Sequence, residues 1–126
     1  MVTRKLLVVL LACGTAAATD ADAPPQGQAR RMLVTAYCPC KQCCGKEDGI
    51  TASGKSVKTN GGRFVAADPT LPFHTKLTIP GYADDQPVPV LDRGGAIKGN
   101  RLDVFFPTHK QARQWGKQWV DVTVWE

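Results

Sequence analysis

From Met32 onward, the sequence alternates short runs of β-branched and aromatic residues with turn-forming glycine, proline, aspartate and asparagine. Such runs favour strands, and the turn residues between them are typical of a β-rich domain. The last run is the clearest, because Val120, Val122 and Val124 alternate with other residues, as on a strand with one buried face. We therefore predict six strands, at residues 32–37, 63–67, 76–80, 88–91, 101–105 and 119–125.

One helix is predicted at residues 108–115, where Thr108 can cap the N-terminus and Gly116 can end the last turn. Short strands with a single short helix indicate an all-β fold. Closing the sheet into a small barrel would remove its exposed edges, although a sandwich produces a similar pattern. The length of 126 residues suits one compact domain.

The first 23 residues have the order of an export signal. Arg4 and Lys5 precede seven apolar residues, and small residues follow. The apolar run is too short for a membrane span, which needs about 20 residues. Residues 10–14 also resemble a lipobox with Cys13 as the lipidation candidate, and cleavage after an Ala-x-Ala-like site is the alternative. We expect an exported protein of the cell envelope, either periplasmic or held to the membrane by lipid at Cys13, with a flexible tether at residues 24–31 and a domain at 32–126.

The charge balance argues against nucleic acid as a partner. The net charge is +5, or +3 without Arg4 and Lys5, and the basic residues are scattered. This excess is compatible with an anionic partner such as the cell wall. No Gly-rich phosphate loop and no ordered Ser/His/Asp set occurs in the sequence, and we expect a monomer without a cofactor.

Three aspartates are candidates for acid–base chemistry. Asp92 ends an apolar run, Asp103 lies within another, and a loop with three glycines separates them; Asp68 ends a third run. Alternation along the strand puts Asp103 on the face opposite Leu102. If that face lies in a cleft, desolvation raises the pKa of the carboxyl, which then holds a proton near neutral pH. For each aspartate, a solvent-facing or turn-capping role is the alternative.

The segments around these aspartates resemble a known family. Residues 66–69 (AADP) and 91–105 (LDRGGAIKGNRLDVF), preceded by 35–45 (TAYCPCKQCCG) and 48–54 (DGITASG), are similar to the three-aspartate (3D) domain. That pattern also occurs in the catalytic region of the membrane-bound lytic transglycosylase A family and in small stationary-phase wall enzymes. The resemblance covers residues 32–126, and it implies a six-stranded double-psi β-barrel with the three aspartates along one cleft.

The resemblance also implies a function, that of a lytic transglycosylase which breaks the β-1,4 MurNAc–GlcNAc bond of peptidoglycan glycan strands. Asp103 is then the general acid and base, with Asp92 and Asp68 as its hydrogen-bonding and electrostatic partners. One carboxyl can protonate the bridging oxygen and later accept a proton from the sugar's own 6-hydroxyl, so no water is needed. A non-catalytic glycan-binding module of the same fold is the alternative. Substrate contacts are expected from Tyr37, Thr51, Ser53, Lys98 and Arg101.

Four cysteines fall within seven residues, at Cys38, Cys40, Cys43 and Cys44. In an exported domain we expect disulfides, although three pairings are open. A zinc site is the disfavoured alternative, because structural zinc usually takes ligand pairs from separated segments and no further thiol follows. A thiol-redox role is a third reading, although the sequence lacks the βαβ pattern around it. The two histidines, His74 and His109, form no metal-ligand spacing with each other, so we expect no metal; a metal hydrolase that uses them with the aspartates is the alternative.

Overall fold

Six strands close into a barrel in the computed structural model of the chain, which describes residues 26–45 and 48–125. Their order around the barrel is β1-β5-β2-β4-β3-β6. All six predicted strands are present, and β5 has the predicted bounds. The strands are β1 Gly27–Tyr37, β2 Val65–Ala67, β3 Lys76–Thr78, β4 Val88–Asp92, β5 Arg101–Phe105 and β6 Gln118–Trp125.

The strand pairing has an internal twofold symmetry. β1 pairs with β5, and β2 with β4, in parallel, whereas the other neighbours are antiparallel. If β1 is exchanged with β4, β2 with β5 and β3 with β6, the same parallel and antiparallel pairs result. The two halves of the chain are therefore interlocked through their parallel pairs, and the expected double-psi β-barrel is confirmed.

The first strand begins earlier than the sequence indicated. Residues 27–31 were expected to be tether, but they belong to β1 and pair with β6 from Gly27 opposite Trp125 to Arg31 opposite Asp121. The tether prediction is wrong over these residues. They carry no apolar alternation, and their place in the sheet comes from backbone hydrogen bonds to β6, which no hydrophobic pattern reveals. The predicted export signal, including Cys13, lies outside the described residues.

Of the residues that the structure describes, two segments form α-helices beside the barrel, α1 Lys41–Cys44 and α2 His109–Trp115. The second is the predicted helix: the Thr108 hydroxyl accepts a hydrogen bond from the Gln111 amide, and Gly116 follows the last turn. The sequence predicted neither α1 nor the 3₁₀ turns Thr59–Gly62 and Ala83–Asp85. Within the described ranges, the helices are all too short or too polar to span a membrane.

Two apolar clusters hold the fold together. The barrel interior is filled by alternate strand residues, among them Val34, Leu102 and Val104, which are fully buried. A second cluster lies on the outer face of β2, β4 and β5, and its rings include Phe64 stacked on Phe105 at 4.6 Å between centroids. Burial of each large side chain contributes about 1.5–3 kcal/mol. The alternation predicted for β5 is thereby confirmed, and Asp103 lies on the same side as the second cluster.

Candidate functional site

Two of the three aspartates flank the same residue of the sheet. Ala66 of β2 pairs with Asp103 of β5 on one side and with Asp92 of β4 on the other, next to a register shift between Val65 and Ala66. Since neighbouring strands lie about 4.8 Å apart, the two aspartate backbones are about 10 Å apart. The methyl group of Ala66 is small, so it leaves open the space between the two carboxyl groups.

A cleft of about 330 Å³ opens above this point. Asp92 and Asp103 both line it, together with Ala66. Its walls come from residues 37–44, 48–57 and 92–97, with apolar contributions from Ile50 and Ile97. The volume lies within the range of small-ligand sites. The cleft therefore combines two carboxyl groups with apolar walls.

Asp103 is half-buried, and burial raises the pKa of its carboxyl from 3.8 to about 6. The hydrogen bond from the Thr35 hydroxyl to Oδ1, at 3.0 Å, and the charge of Arg101 both lower the pKa, whereas the charge of Asp92 raises it. Among the described residues, no donor contacts Oδ2. The carboxyl therefore keeps its proton up to a higher pH than an ordinary aspartate, and one of its oxygens is available to a ligand.

Asp92 is held on both oxygens. Oδ1 accepts from the amides of Ala52 at 2.8 Å and Arg93 at 2.9 Å, and Oδ2 accepts from the Tyr37 hydroxyl at 2.6 Å. Burial and the Asp92 carboxylate raise the pKa of Tyr37, so its hydroxyl keeps its proton as the donor. These three donors fix the Asp92 side chain in one orientation beside Asp103.

Asp68 has a different position from the one expected. Its carboxylate accepts from the amides of Thr70 and Gly99, both at 2.8 Å, and these backbone donors lower its pKa to about 2. Asp68 does not line the cleft, and it is not among the groups that shift the pKa of Asp103. Its contact with Gly99, which has a φ of 65°, instead holds the loop between β4 and β5.

Thr51 and Ser53 support the cleft without lining it. Their hydroxyl oxygens lie 2.9 Å apart, and the Ser53 amide donates to the carbonyl of Leu91 at 3.1 Å. This turn presents the amide of Ala52, the residue between them, to Asp92. A direct substrate contact from either hydroxyl stays a prediction.

The two basic residues expected to bind substrate also lie outside the lining. Lys98 is exposed on the loop, and Arg101 is half-buried at the start of β5. The Arg101 side chain acts on the site through its charge, which lowers the pKa of Asp103. Contact of either residue with substrate therefore stays a prediction.

Arg93, which the sequence did not mark as a site residue, connects two segments next to the cleft. The guanidinium of Arg93 donates to the carbonyls of Ala67 at 3.3 Å and Leu71 at 3.0 Å, and it lies 4.1 Å from the centre of the Phe73 ring. Arg93 thus ties the end of β4 to the segment after β2. The only signal in the sequence was its place directly after Asp92.

Gly94 and Ile97 shape the same loop. A Cβ on Gly94 would lie 2.9 Å from Ile97 Cγ1, closer than carbon atoms can pack, so glycine allows Ile97 to reach the cleft. Ile97 is buried and belongs to the second apolar cluster. The adjacent glycines at 94 and 95 were the sequence signal for this close approach.

The described cysteines gather beside the cleft. Cys43 and Cys44 line it, and Cys38, Cys40, Cys43 and Cys44 are free thiols in the structure. The predicted disulfides therefore stay a prediction.

A family model described as the 3D domain matches residues 63–126. The chain belongs to the 3D domain family. The matched region contains all three aspartates, and the resemblance stated from the motifs is confirmed. Residues before it complete the site of this 3D domain, because Thr35, Tyr37 and Ala52 hold the two cleft carboxyl groups.

The chain is similar to two cell-wall proteins of Bacillus subtilis and to a solved structure. The chain is 38% identical over 78 residues to the cell wall-binding protein YocH of Bacillus subtilis (strain 168), covering 60% of this chain and 26% of that protein. It is 35% identical over 101 residues to the putative cell wall shaping protein YabE of the same organism, covering 78% and 23%. The chain thus spans about a quarter of the length of these curated relatives. Among solved structures it is similar to MltA from E. coli, with a TM-score of 0.46 and 24% identity over 61% of this chain and 27% of that chain.

Proposed function

We propose that this 3D domain protein cleaves the glycan strands of peptidoglycan in the cell envelope, with Asp103 as general acid and then general base. The observation that carries the proposal is the half-buried Asp103 carboxyl, whose pKa is raised to about 6 and whose Oδ2 faces no donor of the described chain. A cell-wall substrate is supported by the names of two relatives, one cell wall-binding and one cell wall shaping.

In the proposed reaction, the protonated Asp103 donates to the oxygen that bridges MurNAc and GlcNAc as positive charge develops at the anomeric carbon. The bridging C–O bond breaks, and the Asp92 carboxylate beside the site stabilises the positive charge. The Asp103 carboxylate then accepts the proton of the MurNAc 6-hydroxyl, whose oxygen bonds to the anomeric carbon. The product is a 1,6-anhydro sugar, no water is consumed, and Asp103 ends protonated as it began.

The test is product analysis. The full chain is incubated with insoluble peptidoglycan, and mass spectrometry identifies the soluble fragments. We expect 1,6-anhydro ends, each lighter by one water than the product of hydrolysis. Asp103→Asn should lower the release rate by about 10²–10⁴-fold, the usual contribution of a general acid or base.

A matched control is available on β6. Asp121 has a side chain that is 71% exposed and pairs with the exposed Arg31, so Asp121→Asn should release fragments at the unchanged rate. Reducing ends in place of anhydro ends would show a hydrolase. Full activity of the Asp103→Asn variant would exclude the assignment of Asp103.

A glycan-binding module without catalysis is the second candidate, and the similarity to a relative named for cell-wall binding favours it. Sedimentation of the chain with insoluble peptidoglycan, with no soluble fragment after prolonged incubation, would identify this function. In that case Asp103→Asn should sediment as the unchanged chain does.

A further inference from the structure

Four metal-ligand side chains converge at the edge of the cleft. The Sγ atoms of Cys38, Cys40 and Cys43 and a ring nitrogen of His109 all lie within 4.8 Å of one another. Three thiols and an imidazole are a ligand set that zinc takes in structural sites. We propose that these four residues bind one zinc ion.

The barrel topology explains why the four side chains meet. Since β1 and β5 are parallel, with Tyr37 opposite Phe105, both strands end at the same place. The chain continues from β1 into Cys38, and from β5 into α2, whose first residue is His109. The Phe106 amide donates to the Tyr37 carbonyl at 2.8 Å and holds the two exits together.

The turn after β1 brings the remaining thiols back to the same point. Cys40 precedes α1, and its carbonyl accepts from the amides of Cys43 at 3.1 Å and Cys44 at 2.9 Å. This arrangement directs Cys38, Cys40 and Cys43 toward one centre, whereas the Cys44 thiol donates to the Cys38 carbonyl at 3.1 Å. The ligands thus come from two separated segments, which is what structural zinc sites usually require.

The distances suit a tetrahedral ion. Zn–S bonds of about 2.3 Å and Zn–N bonds of about 2.0 Å place ligand sulfurs about 3.8 Å apart and sulfur about 3.5 Å from nitrogen. His109 Nδ1 lies 3.6, 3.8 and 3.4 Å from the sulfurs of Cys38, Cys40 and Cys43. The Cys38 sulfur lies 3.0 Å from that of Cys40 and 3.3 Å from that of Cys43, so these pairs need only separate by less than about 1 Å to admit the ion.

The position of His109 favours a zinc site over disulfides. A disulfide joins two sulfurs and gives no reason for an imidazole nitrogen within 3.8 Å of three thiols. Zinc uses all four groups: the thiols bind as thiolates and release their protons, and Nδ1 binds through its lone pair with the ring proton on Nε2. Four protein ligands leave no open position, so the ion would be structural and not catalytic.

The bound ion would stiffen one wall of the cleft. Cys43 lines the cleft, as does Pro39, so an ion between α1 and the start of α2 would tie that wall to the end of the catalytic strand β5. Cys43 is exposed and His109 half-buried, which leaves the site open to metal exchange with solvent. This site is independent of the proposed glycan cleavage, because none of the four zinc ligands contacts the reacting atoms in the proposed reaction.

Metal content and thiol state of the full chain test the proposal directly. The chain is purified without reductant after addition of zinc, and its mass is measured in native and in denaturing solution. The native mass should correspond to the chain with one bound zinc ion. After denaturation, the mass should be that of the chain with these cysteines as free thiols, without the loss of two hydrogens that each disulfide would cause. Cobalt in place of zinc should produce thiolate charge-transfer bands and the visible bands of tetrahedral coordination. A metal-free chain whose mass is lower by two hydrogens for each disulfide would overturn the proposal, as would octahedral cobalt bands.

Variants identify the ligands by competition with a chelator. Loss of a residue that only hydrogen-bonds to a metal ligand weakens metal affinity by about 10–100-fold. Cys40→Ser and His109→Ala each remove a ligand itself, so they should weaken zinc affinity by more than this. Cys44→Ser is the matched control and should keep the affinity of the unchanged chain, because its thiol is directed at a backbone carbonyl. An equal loss in Cys44→Ser, or none in His109→Ala, would refute this ligand set. The cobalt spectrum of the unchanged chain remains decisive if a variant fails to fold.

Discussion

Replacing Asp103 with asparagine should stabilise the fold at neutral pH. Burial raises the pKa of Asp103 from 3.8 to about 6, which means that folding an ionised carboxylate into this position costs free energy. Asparagine is nearly isosteric, carries no charge, and can still accept the hydrogen bond that the Thr35 hydroxyl donates to Oδ1. The substitution therefore removes the charge and retains the contact.

The magnitude follows from the size of the shift. A rise of about two pKa units corresponds to about 3 kcal/mol, at about 1.4 kcal/mol per unit. Below pH 3.8 the carboxyl is protonated in the folded and the unfolded chain and costs nothing. Between pH 3.8 and about 6 the carboxyl ionises in the unfolded chain but keeps its proton in the folded chain, so the wild-type chain loses this stability over that range. Above about 6 the group is ionised in both states and the loss is constant, about 3 kcal/mol at most because the side chain keeps some contact with water.

The assay is urea or thermal unfolding of both chains from pH 4 to pH 8. The difference in free energy of unfolding should favour Asp103→Asn increasingly as the pH rises to 7, and a change of even 1 kcal/mol shifts Tm by about 4–8 °C in a domain of this size. Asp121→Asn, at a side chain that is 71% exposed, should show a difference within about 0.5 kcal/mol at every pH. Parallel stability curves for wild type and Asp103→Asn would refute the reasoning, since an unperturbed carboxyl gives no such dependence.

Three further substitutions test separate parts of the structure. Ala66→Leu should fill the space between the two cleft carboxyl groups and abolish fragment release from peptidoglycan, at a cost of about 1–3 kcal/mol in unfolding free energy from overpacking. Tyr37→Phe removes the donor 2.6 Å from Asp92 Oδ2, and it should lower turnover more than sedimentation with insoluble peptidoglycan. Tyr82→Phe removes a buried hydroxyl that accepts from the Phe64 amide at 3.1 Å, and denaturant unfolding should show a loss of about 1–3 kcal/mol with unchanged fragment release.

Local patterns in the sequence were sufficient for most strands. The valines of β6 alternate in the sequence, and Val122 and Val124 are buried in the barrel interior as predicted. The outward direction of the Asp103 side chain follows from the same rule, because its neighbours Leu102 and Val104 occupy the interior. A period of two in a strand fixes which side chains share a face, so this information is present in the sequence itself.

Contacts between distant segments were not available from local patterns. His109 lies 65 positions after Cys44 in the sequence, yet the parallel pairing of β1 with β5 brings it beside three thiols. The position of Asp68 was missed for a similar reason. Its partner is the amide of Gly99, and no side-chain pattern reports on a backbone donor.

The region that matches the 3D family model is not a complete unit of structure. Residues 63–126 carry the three aspartates, but β1 precedes them and pairs with both β5 and β6. Without β1 these two strands would each lose a neighbour, the barrel would have open edges, and Asp103 would lose its contact with Thr35. Burial is the largest cause of the raised pKa of Asp103, and residues 37–44 and 48–57 supply most of the lining of the cleft that contains it. The chemistry proposed for the aspartates therefore depends on residues outside the motif that identifies them.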